Sequence, residues 1–122
     1  MRFPFLPPII MAPADSARGT PPTAIAEVVS FRINQGIDDT EFISAARATE
    51  GLVRAQSGFL ARYLIRADSG VWTDFVVWEN AARARAAATA VMQAAAFAPF
   101  MAAIDVSSIE MSHQQVFWSM DG

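Results

Sequence analysis

Two stretches of this chain repeat one pattern of strand, helix and strand. The first reads as a strand over 26–33, a helix over 38–56 and a strand over 58–67. The second reads as a strand over 71–78, a helix over 80–104 and a strand over 106–118. A β-α-β unit followed by another in one small domain predicts the split-βαβ, ferredoxin-like plan. This is an α+β fold in which helices cover one face of an antiparallel sheet and leave the other face bare. A chain of 122 residues supports a single core, so the expected organisation is one domain over 24–122 preceded by a separate segment over 1–23.

Composition bears on how the bare face is hidden. Hydrophobic residues make up 53% of the chain, yet no apolar run approaches the ~20 residues that a membrane span requires. The excess predicts a homodimer joined through the sheet face, and no membrane partner. All nine basic residues are arginines, spread singly, and the net charge is -3. No basic stripe exists to neutralise a phosphate backbone, so nucleic acid is not an expected partner. Without cysteine the chain has no thiol catalysis, disulfide or sulfur-ligated metal.

The segment over 1–23 holds six of the seven prolines, so neither a helix nor a central strand can run through it. It reads as a proline-rich arm or leader. Arg2, the apolar run over 3–12 and Ala12-Pro13-Ala14 imitate a secretory signal with its small-residue cleavage site. Pro4, Pro7 and Pro8 interrupt that apolar run, and the expected location is the cytoplasm.

Local patterning places the elements. Glu27, Val29, Phe31 and Ile33 alternate with Ala26, Val28, Ser30 and Arg32, and the first set is expected to meet the helices. Asp38 with Glu41 has the spacing of a capping box, and Ile37 with Phe42 that of a hydrophobic staple. The first helix buries Phe42, Ala45, Ala46, Thr49, Leu52 and Val53, and leaves Arg47, Glu50 and Arg54 as a solvated face. Asp68-Ser69-Gly70 predicts a three-residue hairpin loop that sets Ala67 opposite Val71. Leu60, Arg62, Leu64 and Arg66 then share a face with Trp72, Asp74, Val76 and Trp78, and Arg66 stands across from Trp72. Phe59, Ala61, Tyr63 and Ile65 fall on the opposite face with Val71, Thr73, Phe75 and Val77. The second helix opens at Asn80 and is so rich in alanine that it either lies very close to the sheet or leaves a hollow beneath it. Pro99 breaks or kinks it.

Trp78 closing the third strand, Glu79-Asn80-Ala81-Ala82 opening an alanine-rich helix, and Phe97-Ala98-Pro99-Phe100-Met101 before a last strand ending near Phe117 carry a resemblance. Over about residues 25–118 the chain resembles the antibiotic biosynthesis monooxygenase domain of the dimeric α+β barrel superfamily. The resemblance implies a ferredoxin-like fold paired sheet to sheet as a homodimer. It also implies oxygenation of a small aromatic or polyketide-like molecule without metal or flavin, the electrons coming from the substrate. The haem-cleaving branch of the family is disfavoured. Its asparagine, helix tryptophan and haem-ligating histidine would fall near Val29, Ala87 and Met101.

The oxygenase chemistry asks for a dry cavity, an aromatic wall and a few polar groups that bind a phenolate and move a proton. This chain could assemble such a set, although no motif fixes it: His113, Trp72, Arg62 and Asp74 are the catalytic candidates and Tyr63, Trp78, Phe97 and Met101 the substrate-binding ones, with no metal or cofactor. Their expected place is a cavity between the second helix and the sheet. Each candidate also has a structural explanation. His113 follows Ile109 and Met111 on one strand face and is more readily explained as a hydrogen-bonded structural histidine than as a proton shuttle. Arg62 with Asp74 forms a cross-strand ion pair with or without a ligand. Trp72 under Arg66 is expected to make a cation-π pair, and the Tyr63 ring is accounted for by packing. The rival function is a non-catalytic homodimeric module that binds a small apolar ligand or is purely structural. A space filled by Phe97, Phe100 and Met101 would favour it, whereas a cavity lined by polar groups would favour the enzyme.

Overall fold

The structure, a computed structural model, describes residues 20–122, so the expectations for the arm over 1–19 lie outside the described residues. Strand β1 (Ile25–Ile33) leads into helices α1 (Asp39–Arg47) and α2 (Glu50–Arg54), then the hairpin β2 (Phe59–Arg66) and β3 (Trp72–Trp78). Helix α3 (Ala81–Met92), a 3-10 turn (Ala95–Phe97), helix α4 (Ala98–Ala102) and strand β4 (Ile104–Gln115) complete the chain. The strands form one antiparallel sheet in the order β2-β3-β1-β4. This is the ferredoxin-like α+β fold expected from the element order.

Local chemistry sets the start of the first helix and the central hairpin turn where the sequence placed them. Asp38 accepts from the Glu41 backbone N–H at 2.8 Å, and its own N–H donates to Glu41 Oε1 at 3.3 Å, which completes the capping box. Ile37 and Phe42 pack into the same core, as a staple should. In the hairpin, Gly70 N–H donates to Ala67 O, Ala67 N–H donates to Val71 O, and Gly70 takes φ +94°. Only glycine adopts that conformation without strain.

Three boundaries differ from the sequence expectation. The first helix is two helices, broken where the Thr49 hydroxyl donates to Ala46 O at 2.6 Å, a side-chain bond that competes with the helical ladder. The second helix ends at Met92, ahead of Pro99, and Pro99 instead occupies the first turn of α4, where its missing N–H costs nothing. The last strand ends at Gln115, so Phe117 and Trp118 lie beyond it.

Two clusters make the core on the helix side of the sheet. One holds Phe31, Phe42, Trp72, Phe100, Ala103 and Ile104, with Phe97 and Met101 packed against it. The other holds Val53, Val76, Trp78, Ala84 and Ala87, with Phe59 packed against it. Ala84 and Ala87 are buried and carry little bulk, so of the two alternatives for α3 the chain takes the close approach. On the bare face the patch over β1, β2 and β3 is apolar, with Val28, Ala61, Phe75 and Val77 half-buried and Ile65 exposed. Along β4 that face turns polar, through Glu110, Ser112 and Gln114. No helix among the described residues is long and apolar enough to cross a membrane.

Candidate functional site

The cavity is not where the sequence placed it. Beneath the second helix Ala84 and Ala87 pack directly on Val76 and Trp78, while Phe97, Phe100 and Met101 pack with Phe31, Phe42 and Trp72, the Phe97 and Phe100 rings lying 5.2 Å apart. A cleft of about 580 Å³ opens instead beside β2, between the edge of the sheet and the α1–α2 pair. Its inner wall is Trp72, Phe59, Leu64 and Val53, and Arg47, Glu50, Arg54 and Tyr63 also line it. That volume falls within the range of about 300–1,000 Å³ usual for small-molecule sites.

Arg62 is the fixed polar group of this cleft. Its Nε donates to Asp74 Oδ1 at 3.0 Å and its Nη2 to Asp74 Oδ2 at 2.9 Å, while Nη1 donates to Thr49 Oγ1 at 2.8 Å. The guanidinium also lies over the Phe100 ring, 5.4 Å from its centroid. The two charged side chains are only 14% and 11% exposed, so the pair is screened little by solvent and is held in one geometry. Each terminal nitrogen of Arg62 carries a second N–H, and no described residue accepts it. Arg62 is itself a lining residue of the cleft.

Trp72 is buried, with its ring edge-on to Phe42 at 4.9 Å, and contributes to the cleft wall. The expected cation-π pair between Arg66 and Trp72 is not formed. Arg66 reaches across to Asp39 at 3.5 Å, and the cation over a ring is Arg62 above Phe100. Phe59 is a second correction. A register shift between Phe59 and Ala61 turns Phe59 onto the helix side, where it meets Trp78 edge-on at 5.8 Å.

Arg62 and Trp72 therefore come together, with Asp74 paired to Arg62, whereas Tyr63 borders the cleft but pairs with Phe75 on the bare face and is exposed. His113 does not join them. It pairs with Glu27 Oε2 at 3.2 Å on the far edge of the sheet. Arg62, Val76, Glu27 and His113 form one row across four strands, and three interstrand steps put His113 ~14 Å from Arg62. Trp78 is buried in the second cluster, its Nε1 without a partner among the described residues, and it does not line the cleft. Phe97 and Met101 belong to the first cluster. No group of three or more metal-binding side chains occurs among the described residues.

Sequence reasoning overlooked Thr49, fully buried and taken for a member of an apolar stripe, although a threonine in that stripe was the available signal. It also overlooked Arg47, Glu50 and Arg54, which read as a solvated face and in fact line the cleft.

No protein-family model and no curated protein matches the chain. Solved structures do match in fold. A cofactor-independent oxygenase, SnoaB from Streptomyces nogalater, superposes with a TM-score of 0.62 at 18% identity, covering 82% of this chain and 99% of its own. A protein of unknown function from Nitrosomonas europaea gives a TM-score of 0.67 at 16% identity, covering 85% and 98% respectively. A candidate antibiotic biosynthesis monooxygenase from Bordetella bronchiseptica gives a TM-score of 0.62 at 18% identity, covering 77% and 97%. The fold is thus the one found in antibiotic-biosynthesis-monooxygenase-type structures, as the sequence resemblance implied.

Proposed function

We propose that this chain is a cofactor-independent, oxygenase-like enzyme acting on a small aromatic or polyketide-like molecule in the cleft beside β2. The observation that carries this reading is the Arg62 guanidinium, fixed by Asp74 and Thr49 in an aromatic-walled cleft with donors to spare. A ring would lie along Trp72, Phe59 and Leu64, and its phenolate or enolate oxygen would take the remaining N–H groups of Arg62. Stabilising that anion eases loss of a proton from the adjacent carbon. The proton leaves at the open mouth, where Glu50 is the one carboxylate among the lining side chains. The carbanion supplies the electrons that reduce dioxygen. A CH2 group becomes C=O, and the second oxygen atom leaves as water with the two hydrogens. Asp74 acts through Arg62 and is a positioning residue.

The same proposal includes a homodimer formed through the apolar part of the bare face, around Val28, Phe75 and Val77. The apolar patch across three strands supports it. A second reading, a non-catalytic homodimeric ligand-binding or structural module, is favoured by the packing of Phe97, Phe100 and Met101 into the core and of Ala84 and Ala87 against Val76 and Trp78 where a cavity was expected. Oxygen consumption separates the two. Saturable uptake by chelator-treated protein with anthrones or quinols, with quinone formed in equal amount, supports the enzyme. No uptake across the panel leaves the module.

A further inference from the structure

Just past β4 lie the most exposed aromatic side chains among the described residues. Phe117 is 86% and Trp118 76% exposed, whereas Trp72 and Trp78 are buried in the core. The backbone that carries them is held in place. Val116 N–H donates to Ala24 O at 3.0 Å, and the Thr20 and Ser119 hydroxyls meet at 2.7 Å. These bonds lay 116–119 beside 20–24 and leave a cleft of about 250 Å³ lined by Pro21, Pro22, Val116, Phe117 and Trp118. We propose that this aromatic cleft is the docking site for the chain's own proline-rich stretch over 4–13, bound in cis. The site shares no residue with the cleft beside β2 and does not depend on the reaction proposed there.

Sequence and connection point to the same occupant. The stretch contains Pro4, Pro7, Pro8 and Pro13, and Pro4-Phe5-Leu6-Pro7 has PxxP spacing. At three residues per turn, a polyproline II helix sets Pro4 and Pro7 on one face. Such segments bind aromatic-lined grooves at low ordering cost, and a tryptophan there offers its indole N–H to a backbone carbonyl as well as its ring. Six residues, Ala14 to Gly19, join the stretch to Thr20, which itself borders the cleft. They can extend ~20 Å, enough for the stretch to turn back onto Phe117 and Trp118. A connection that short sets an effective concentration of about 1 mM, so a weak site with a Kd of ~0.1 mM would be about nine-tenths filled. That local excess favours the chain's own stretch over one supplied by another molecule.

Acrylamide quenching of the full chain tests this, because Trp118 is the one exposed tryptophan of three. Its emission is isolated as the difference between the native chain and Trp118→Phe. A second chain has residues 3–13 exchanged for a glycine-serine stretch of equal length. At nine-tenths occupancy, Trp118 of the native chain should be quenched at least about threefold more slowly than Trp118 of the exchanged chain. Equal quenching in the two overturns the docking. So does quenching of the native chain at the rate of free N-acetyltryptophanamide, a result that needs no exchanged chain. A mixture separates cis from trans. The exchanged chain is combined with an excess of the Trp118→Phe chain, which supplies the stretch over 4–13 without the Trp118 emission. Trp118 of the exchanged chain should stay open to quenching in this mixture. Protection regained there would assign the occupant to a second copy and overturn docking in cis.

Discussion

Arg62 and Asp74 give the sharpest energetic expectation. Asp74 sits on the internal strand β3 with its side chain 11% exposed, and among the described residues Arg62 is its only cationic partner. Arg62→Met keeps most of the stem that packs near Phe100 and removes the charge. It leaves a carboxylate that cannot reach water, at a cost of about 3 kcal/mol, the low end for a broken buried pair. Asp74→Leu is expected to cost less, about 2 kcal/mol, because the guanidinium keeps Thr49 and can turn into the open cleft. Replacing both removes the uncompensated charge, so the double variant should lose only about 2 kcal/mol and the coupling should be about 3 kcal/mol. Urea unfolding at one fixed protein concentration reads these values, since association would otherwise shift the midpoint. A loss of 3 kcal/mol moves the midpoint by about 2 M. Single variants that each cost under about 1 kcal/mol and add in the double would refute the reasoning, because the pair would then behave as a surface contact.

Other positions give expectations of different kinds. At Gly58 an added Cβ would lie 2.6 Å from Arg83 Cγ and 2.7 Å from Arg83 Cβ at φ +87°, so Gly58→Ala should cost about 2 kcal/mol in thermal unfolding. Asp38→Ala removes the capping box and should cost about 1 kcal/mol, with no change in ligand affinity. Phe75→Asp puts a charge in the middle of the bare face, and on the proposed dimer sedimentation should show the variant as a monomer and the native chain as a dimer at the same concentration. A native chain that sediments as a monomer would remove the dimer from the account.

The parts of the fold that were legible in the sequence depend on neighbours in the chain. The Gly70 turn, the Asp38–Glu41 box and the alternation of β3 are all set within a few residues. The break at Thr49 was not legible, because threonine is tolerated in a helix and its hydroxyl acquires a reason for its position only when Arg62 arrives from β2. The register shift that turns Phe59 inward falls at Leu60, and Gly58 just before it reads from sequence only as the turn that opens the strand. The cleft was missed for a related reason. The bulk of Phe97, Phe100 and Met101 was visible, but not the direction in which the 3-10 turn and α4 would deliver it. The separation of His113 from Arg62 was recoverable. Strand order β2-β3-β1-β4 sets β2 and β4 on opposite edges, so two residues on one face of the sheet need not share a site.

That separation defines the most direct test of where the chemistry occurs. Oxygen uptake with an anthrone should be compared for native protein, Arg62→Gln and His113→Gln under saturating oxygen, after each variant is shown to be folded. If the cleft beside β2 is the site, Arg62→Gln lowers kcat/KM by about a hundredfold and His113→Gln leaves it within about twofold. Turnover that survives Arg62→Gln, or that is lost with His113→Gln in a folded protein, would contradict the account.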